Sequence, residues 1–208
     1  MLEPDRRSPL HHRTEISAEE AAHLRELPFQ GKIVLRGDAG SIGEAAADVL
    51  GAQLPVEPCG SALGANLAIL WIGPDEWWII TEAGVERDTQ ARLSVALQGR
   101  HHQTVDVTDY YTTIEVAGLR VIEMLSKLTT LDLHRRAFPL GRVAGSMFAQ
   151  TQATLWHAGS DEYDSPSFRL FVRWTTADYL WCLLAEAGRE FGLPVQEPLA
   201  GETWRLAR

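Results

Sequence analysis

Alternating and helical patterns of apolar residues succeed one another along this chain, most clearly between Val105 and Gly141. Thr113, Glu115 and Ala117 alternate with Ile114 and Val116, which is the period of a half-buried strand. Gly118 stops that strand. Val121, Ile122, Met124, Leu125 and Leu128 follow at spacings of three and four, predicting an amphipathic helix over 119–128. Leu131, Leu133, Phe138 and Leu140 then form an apolar series without a period, broken by Pro139 and Gly141. An apolar loop must pack beneath its own chain or against another one.

The remaining elements follow the same logic. Residues 1–29 form a polar arm, interrupted by Pro4 and Pro9, in which 16–27 suits a short helix capped by Ser17. Such an arm reads as a loose terminus or as a strap over a neighbour. A strand over 32–36 leads into a helix over 42–50, stopped by Gly51 and Pro55. NLAILWI and EWWIIT are two apolar strands around Gly73, Pro74 and Asp75, which is hairpin punctuation. A helix over 87–97 and a strand over 103–107 complete the first half. In the second half, 147–157 alternates as one strand and 168–174 as another. A helix over 176–191, capped by Thr175, ends at Gly192 and Pro194. Residues 194–208 make a second arm, carrying Trp204.

The order strand, helix, strand, strand, helix occurs in each half. Leu70-Trp71 recurs as Leu155-Trp156, and Asp75-Glu76 as Asp161-Glu162. The expected fold is α+β, with two duplicated strand-helix-strand-strand-helix units over 30–104 and 105–193. Each unit is a largely antiparallel sheet with helices on one face.

Composition narrows the function. The formal net charge of −9 argues against nucleic acid as a partner, since phosphate binding needs a basic surface. No run approaches the roughly 18 apolar residues of a membrane span, and the polar N-terminus lacks a secretory core. Cys59 and Cys182 lie far apart in sequence, consistent with a reduced, cytoplasmic setting. Seven tryptophans exceed what a polar surface would carry. Most belong in a core, and some suit a subunit interface, where Trp is enriched.

Candidate chemistry is sparse. Gly37, Gly40 and Gly43 are spaced GxxGxxG, which is not the dinucleotide fingerprint. His101, His102, Asp106 and Asp109 form the nearest thing to a metal or acid-base cluster. Adjacent residues on an extended chain point to opposite faces, so the two histidines do not converge on one ion. Asp132 and His134 lie near no Ser or Cys nucleophile motif. Neither cysteine has a CxxC partner. Catalytic, cofactor-binding and metal residues are therefore expected to be none.

Five segments together carry a resemblance. VDVT, IEVAG, LDLHRRAFPLG and RLFVRWTTADYLWCLLAEA, with LWIGPDEWWIIT in the first half, resemble the gamma subunits of heterotetrameric sarcosine oxidases over about 67–191. The wider relatives are the aminomethyltransferase of the glycine cleavage system and its folate-binding kin. The resemblance implies an aminomethyltransferase-like fold. It also implies a noncatalytic subunit of a complex that demethylates sarcosine to glycine, hydrogen peroxide, and formaldehyde or methylene-tetrahydrofolate. FAD, covalent FMN, NAD and zinc then sit on the other subunits, as does tetrahydrofolate. The alpha subunit is the chief partner, with beta and delta completing the heterotetramer. The folate-touching GGxxDD-like stretch of the aminomethyltransferases is replaced here by SMFAQTQATLWHAGSDEY, so no folate-binding residue carries over. The expected partner-facing residues are Leu131, Leu133, Phe138, Leu140 and Trp204. The alternative is a free-standing folate-binding or aminomethyltransferase-like protein.

Overall fold

The structure, a computed structural model, describes residues 6–160 and 165–197. Its first sheet is built from β3 (Gly31–Gly37), β4 (Ser61–Leu63), β5 (Leu67–Gly73), β6 (Glu76–Thr81) and β7 (His102–Asp106), in the order β4-β5-β6-β3-β7. The second contains β1 (Ile16–Ala18), β2 (Ala22–Leu27), β8 (Tyr111–Ala117), β9 (Val143–Phe148), β10 (Thr151–Ser160) and β11 (Pro166–Arg173), in the order β1-β2-β8-β11-β10-β9. Every pairing is antiparallel. Helices α1 (Ala39–Leu50) and α2 (Glu86–Ala96) cover the first sheet, and α3 (Val121–Ser126) and α4 (Ala177–Ala187) the second. The fold is α+β, as the pattern predicts.

Three apolar clusters explain the layering. Ile42, Ala46 and Leu50 recur every four residues on α1 and meet Ile33, Leu35, Ile69, Trp77 and Ile79. In the second unit, Met124 and Leu125 of α3 and Leu180, Trp181 and Leu184 of α4 meet Ile114, Val116, Leu155 and Leu170. The third cluster lies between the sheets: Leu70, Trp78 and Ile80 from one, Val143, Trp156 and Phe171 from the other. Strands β5 and β6 are thus covered on both faces, which is why NLAILWI and EWWIIT read as nearly continuous apolar runs. Asp38 caps α1 by accepting the Ser41 N–H at 2.9 Å, and Gly51 closes it in the left-handed conformation.

The two units correspond strand for strand. β3 and β8 occupy equivalent places, as do β6 and β11, β5 and β10, and β4 and β9. The flanking place is filled by β7 in the first sheet and by β2 in the second. The repeated Leu-Trp doublet is not part of this correspondence. Ile69 pairs with Ile79 and Leu155 with Leu170, so Leu70 is the counterpart of Trp156. Trp71 faces the helices of its unit, whereas Trp156 faces the other sheet. A one-residue offset exchanges the faces of a strand.

Four expectations need correction. Residues 16–27 are strands, not a helix, and belong to the second sheet rather than to an arm: Ala22 and Leu24 point inward, with His23 and Arg25 between them. The stretch 147–157 is a hairpin, turning at Ala149 with φ +50. Strand β4, three residues long, was not expected. Helix α4 ends at Ala187, a single 3-10 turn follows, and neither Thr175 nor Thr176 supplies a side-chain cap. Among the described residues no helix is long and apolar enough to cross a membrane.

Candidate functional site

The polar residues singled out by sequence do not converge. His101 is exposed, and His102 Nδ1 lies 2.9 Å from the Arg100 carbonyl. Asp106 accepts the Thr108 N–H at 2.9 Å, and Asp109 pairs with Arg6. Asp132 accepts the backbone N–H of His134, which makes a local turn and not an acid-base pair. Among the described residues no group of three or more His, Cys, Asp or Glu side chains is arranged to hold a metal ion. Cys59 and Cys182 are free thiols. Burial raises the Cys182 pKa, against the lowering effect of Arg13, so its thiolate is disfavoured.

The apolar loop turns on that Asp132 motif. The N–H groups of Ala137 and Phe138 both reach the His134 carbonyl, forming one helical turn. This turn directs Leu133 and Phe138 inward, where they are 2% and 3% exposed, and Phe138 lies 6.2 Å from Phe168. Leu131 is half-buried against the same core. Leu133 and Phe138 therefore present no apolar surface to a partner. Leu140, at 68% exposure, projects outward. Trp204 lies outside the described residues.

Leu140 belongs to a surface that sequence patterns did not mark. Ser61 Oγ donates to the Gly141 carbonyl at 2.7 Å, and the Val143 N–H to the Cys59 carbonyl at 2.8 Å. These bonds bring the 56–63 segment beside the start of β9, with exposed Val56 and Leu63 on it. Thr129 Oγ1 lies 3.0 Å from Ser146 Oγ, tying the other end of the loop to β9. Exposed Met147 sits on that strand. Arg135 and Arg136 are exposed on the loop and make no ion pair with a described residue. The arrangement offers apolar anchors, cations and open strand edge, which are means of binding a polypeptide.

Two other features lie between the sheets. A cleft of about 490 Å³ is lined by Cys59, Ile72, Trp78, Tyr111 and Phe171, with Glu76 and Arg173. Burial raises the Tyr111 pKa, helped by Tyr110 and opposed by Arg173. Among the described residues the Cys59 thiol in this lining has no hydrogen bond to a base. Lys32, with no exposed surface, donates from Nζ to the Gln30 carbonyl at 2.8 Å. Burial lowers its pKa from 10.5 to about 8; Arg6 lowers it further, while Glu26, Asp109 and Glu86 oppose the shift.

The model of the Sarcosine oxidase, gamma subunit family matches residues 36–190. The chain is 34% identical over 165 residues to the sarcosine oxidase subunit gamma of Arthrobacter sp, covering 76% of this chain and 80% of that protein. It superposes on a chain of the heterotetrameric sarcosine oxidase from Corynebacterium sp. U-96, solved in complex with pyrrole 2-carboxylate. The TM-score is 0.80 at 28% identity, over 92% of this chain and 99% of that one. The glycine cleavage system aminomethyltransferase T from Bartonella henselae shares the fold, with a TM-score of 0.60 at 15% identity, over 83% of this chain and 48% of that one.

Proposed function

The chain belongs to the sarcosine oxidase gamma subunit family, and from that premise we propose that it is the noncatalytic gamma subunit of a heterotetrameric sarcosine oxidase. The complex oxidatively demethylates sarcosine to glycine, with hydrogen peroxide and either formaldehyde or methylene-tetrahydrofolate as further products. This chain steadies the large alpha subunit, and beta and delta subunits complete the assembly. FAD, FMN, NAD, zinc and tetrahydrofolate reside on those other subunits in this reading, and the complex works in the cytoplasm.

The observation that carries the reading is the superposition over almost the full length of one chain of a heterotetrameric enzyme. The surface chemistry supports it. The outward-facing groups around Leu140 suit a protein partner. Leu140 and Trp204 are the anchors, with Leu131, Leu133 and Phe138 holding the loop that presents Leu140.

Co-expression of the tagged chain with the other subunits tests this directly. The expected result is a co-purifying flavoprotein that oxidises sarcosine, while the chain alone is colourless and turns over no amine. A monodisperse monomer that ignores the other subunits would sink the reading. So would folate binding by the isolated chain together with methyl transfer, which would favour a free-standing aminomethyltransferase-like protein.

A further inference from the structure

The four sheet edges are treated differently. β1 and β4 have three residues each. β7 is covered by α2, whose Gln90 donates to the Thr104 carbonyl at 3.0 Å and whose Ser94 hydroxyl lies 3.2 Å from that of Thr104. β9 runs for six residues, VAGSMF, without a charge or a proline, and no helix among the described residues covers it. A long, uncharged, uncovered edge invites pairing with another strand, and single chains normally blunt it.

The direction of its main-chain groups follows from two fixed points. Phe148 and Thr151 form the pair that closes the β9–β10 hairpin. The Val143 N–H points the other way, to Cys59. Strand alternation then turns the N–H and C=O of Gly145 and Met147 away from β10. Neither N–H has a backbone acceptor among the described residues. The open window is bounded by the Val143–Cys59 bond at one end and by the Ala149 N–H to Leu128 carbonyl bond, 2.7 Å, at the other.

We propose that this window is a docking strand. An extended, acidic segment of a partner subunit pairs with Gly145 and Met147 through main-chain hydrogen bonds and sets its carboxylates against Arg135 and Arg136. The chemistry of the occupant comes from two observations. The open backbone groups call for a strand. The unpaired arginines, set in a chain of net charge −9, call for acidic side chains. The same net charge disfavours a second copy of this chain. Exposed Met147 and Leu140 give the segment its apolar footing. The proposal rests on the subunit reading above and gives that reading its surface.

Hydrogen exchange on the assembled complex is the primary test. The amides of Gly145 and Met147 are expected to exchange as slowly as those of β10. Two variants follow, each checked for native circular dichroism. Gly145→Pro removes an outward N–H without removing a bond to β10, while its ring fixes φ, and the double change Arg135→Glu with Arg136→Glu reverses the local charge. Each should weaken assembly at least tenfold. Gly145→Ala, whose added methyl meets no atom within 4 Å, should assemble as the wild type does. Fast exchange at both amides in the intact complex overturns the docking strand while leaving the subunit reading in place. Protection produced by a second copy of this chain, visible as a dimer in sedimentation, overturns it as well. A wild-type chain that never assembles overturns both.

Discussion

A lysine sealed between two sheets gives the fold a pH dependence of its own. The Lys32 pKa is about 8 in the folded chain and near 10.5 once unfolded. Between those values the unfolded state holds more protons, so this residue's contribution to stability rises with pH through the window; below about 8 its full penalty remains. Lys32→Met keeps an apolar stem and deletes the charge. It should stabilise the chain by about 1–3 kcal/mol at pH 7, and the advantage should shrink by pH 9.5. Urea unfolding at the two pH values reads this difference. A destabilised variant would mean that the bond to Gln30 and the nearby carboxylates outweigh desolvation. In the apolar loop, two leucines seven positions apart should behave oppositely. Leu133→Ala leaves a cavity in the core and should cost about 2–5 kcal/mol of folding stability. Leu140→Ala should leave stability within about 0.5 kcal/mol of wild type and weaken assembly instead. Trp204→Ala is expected to cost on the order of 2 kcal/mol of assembly if it anchors the alpha subunit. Thermal melts together with pull-down titrations separate these cases.

At the scale of elements, β2 is the strand on which the second sheet depends. It pairs with β8 from His23↔Ala117 to Leu27↔Thr113, and it brings Ala22 and Leu24 into the core, joined by Leu10 and Ile16 from the preceding segment. Removing residues 1–27 opens the β8 edge and strips those side chains away. The truncated chain should lose its cooperative melt and aggregate; a sharp transition near the wild-type temperature would contradict this. The same segment shows where sequence patterns stop informing. Its period of two is written in Ala22, His23, Leu24 and Arg25, but charged residues and the prolines ahead of them mask it. Strand β4 is too short to leave a period at all. The β9–β10 turn uses Ala149 and Gln150 where hairpins usually carry Asn or Gly, so alternation runs through it unbroken. By contrast, α1, β5, β6, β8 and β11 are legible because each has a continuous face against a core. The apolar loop was legible as apolar but not in direction. Which of its leucines turn outward is decided by the Asp132 turn, a tertiary detail that composition does not encode. The open β9 edge was hidden for the same reason, since edge position depends on strand order.

At the scale of the whole molecule, the two similar units form one folding body, and the chain's path explains why. β2 and β8 are neighbours in the second sheet. The whole first unit lies between them in sequence. The second sheet therefore closes only around a chain that has already passed through the first. The inter-sheet cluster works in the same direction, since Leu70, Trp78 and Ile80 are covered by Val143, Trp156 and Phe171 of the second sheet, with Tyr111 packed against them. A separated first unit would expose Trp78, which lies 4.8 Å from Tyr111 and 5.9 Å from Phe171. Tryptophan fluorescence and far-ultraviolet circular dichroism should thus report one coincident unfolding transition. Phe171→Ala removes the ring that Trp78 meets edge-on. It should cost about 3–5 kcal/mol while keeping the two probes coincident. If the duplicated units were instead independent, the variant would split the curve: dichroism from the first unit would persist after the second had melted. Residues 1–104 and 105–208, expressed apart, give the same comparison. Neither is expected to fold, because the first lacks the cover of Phe171 and the second lacks β2.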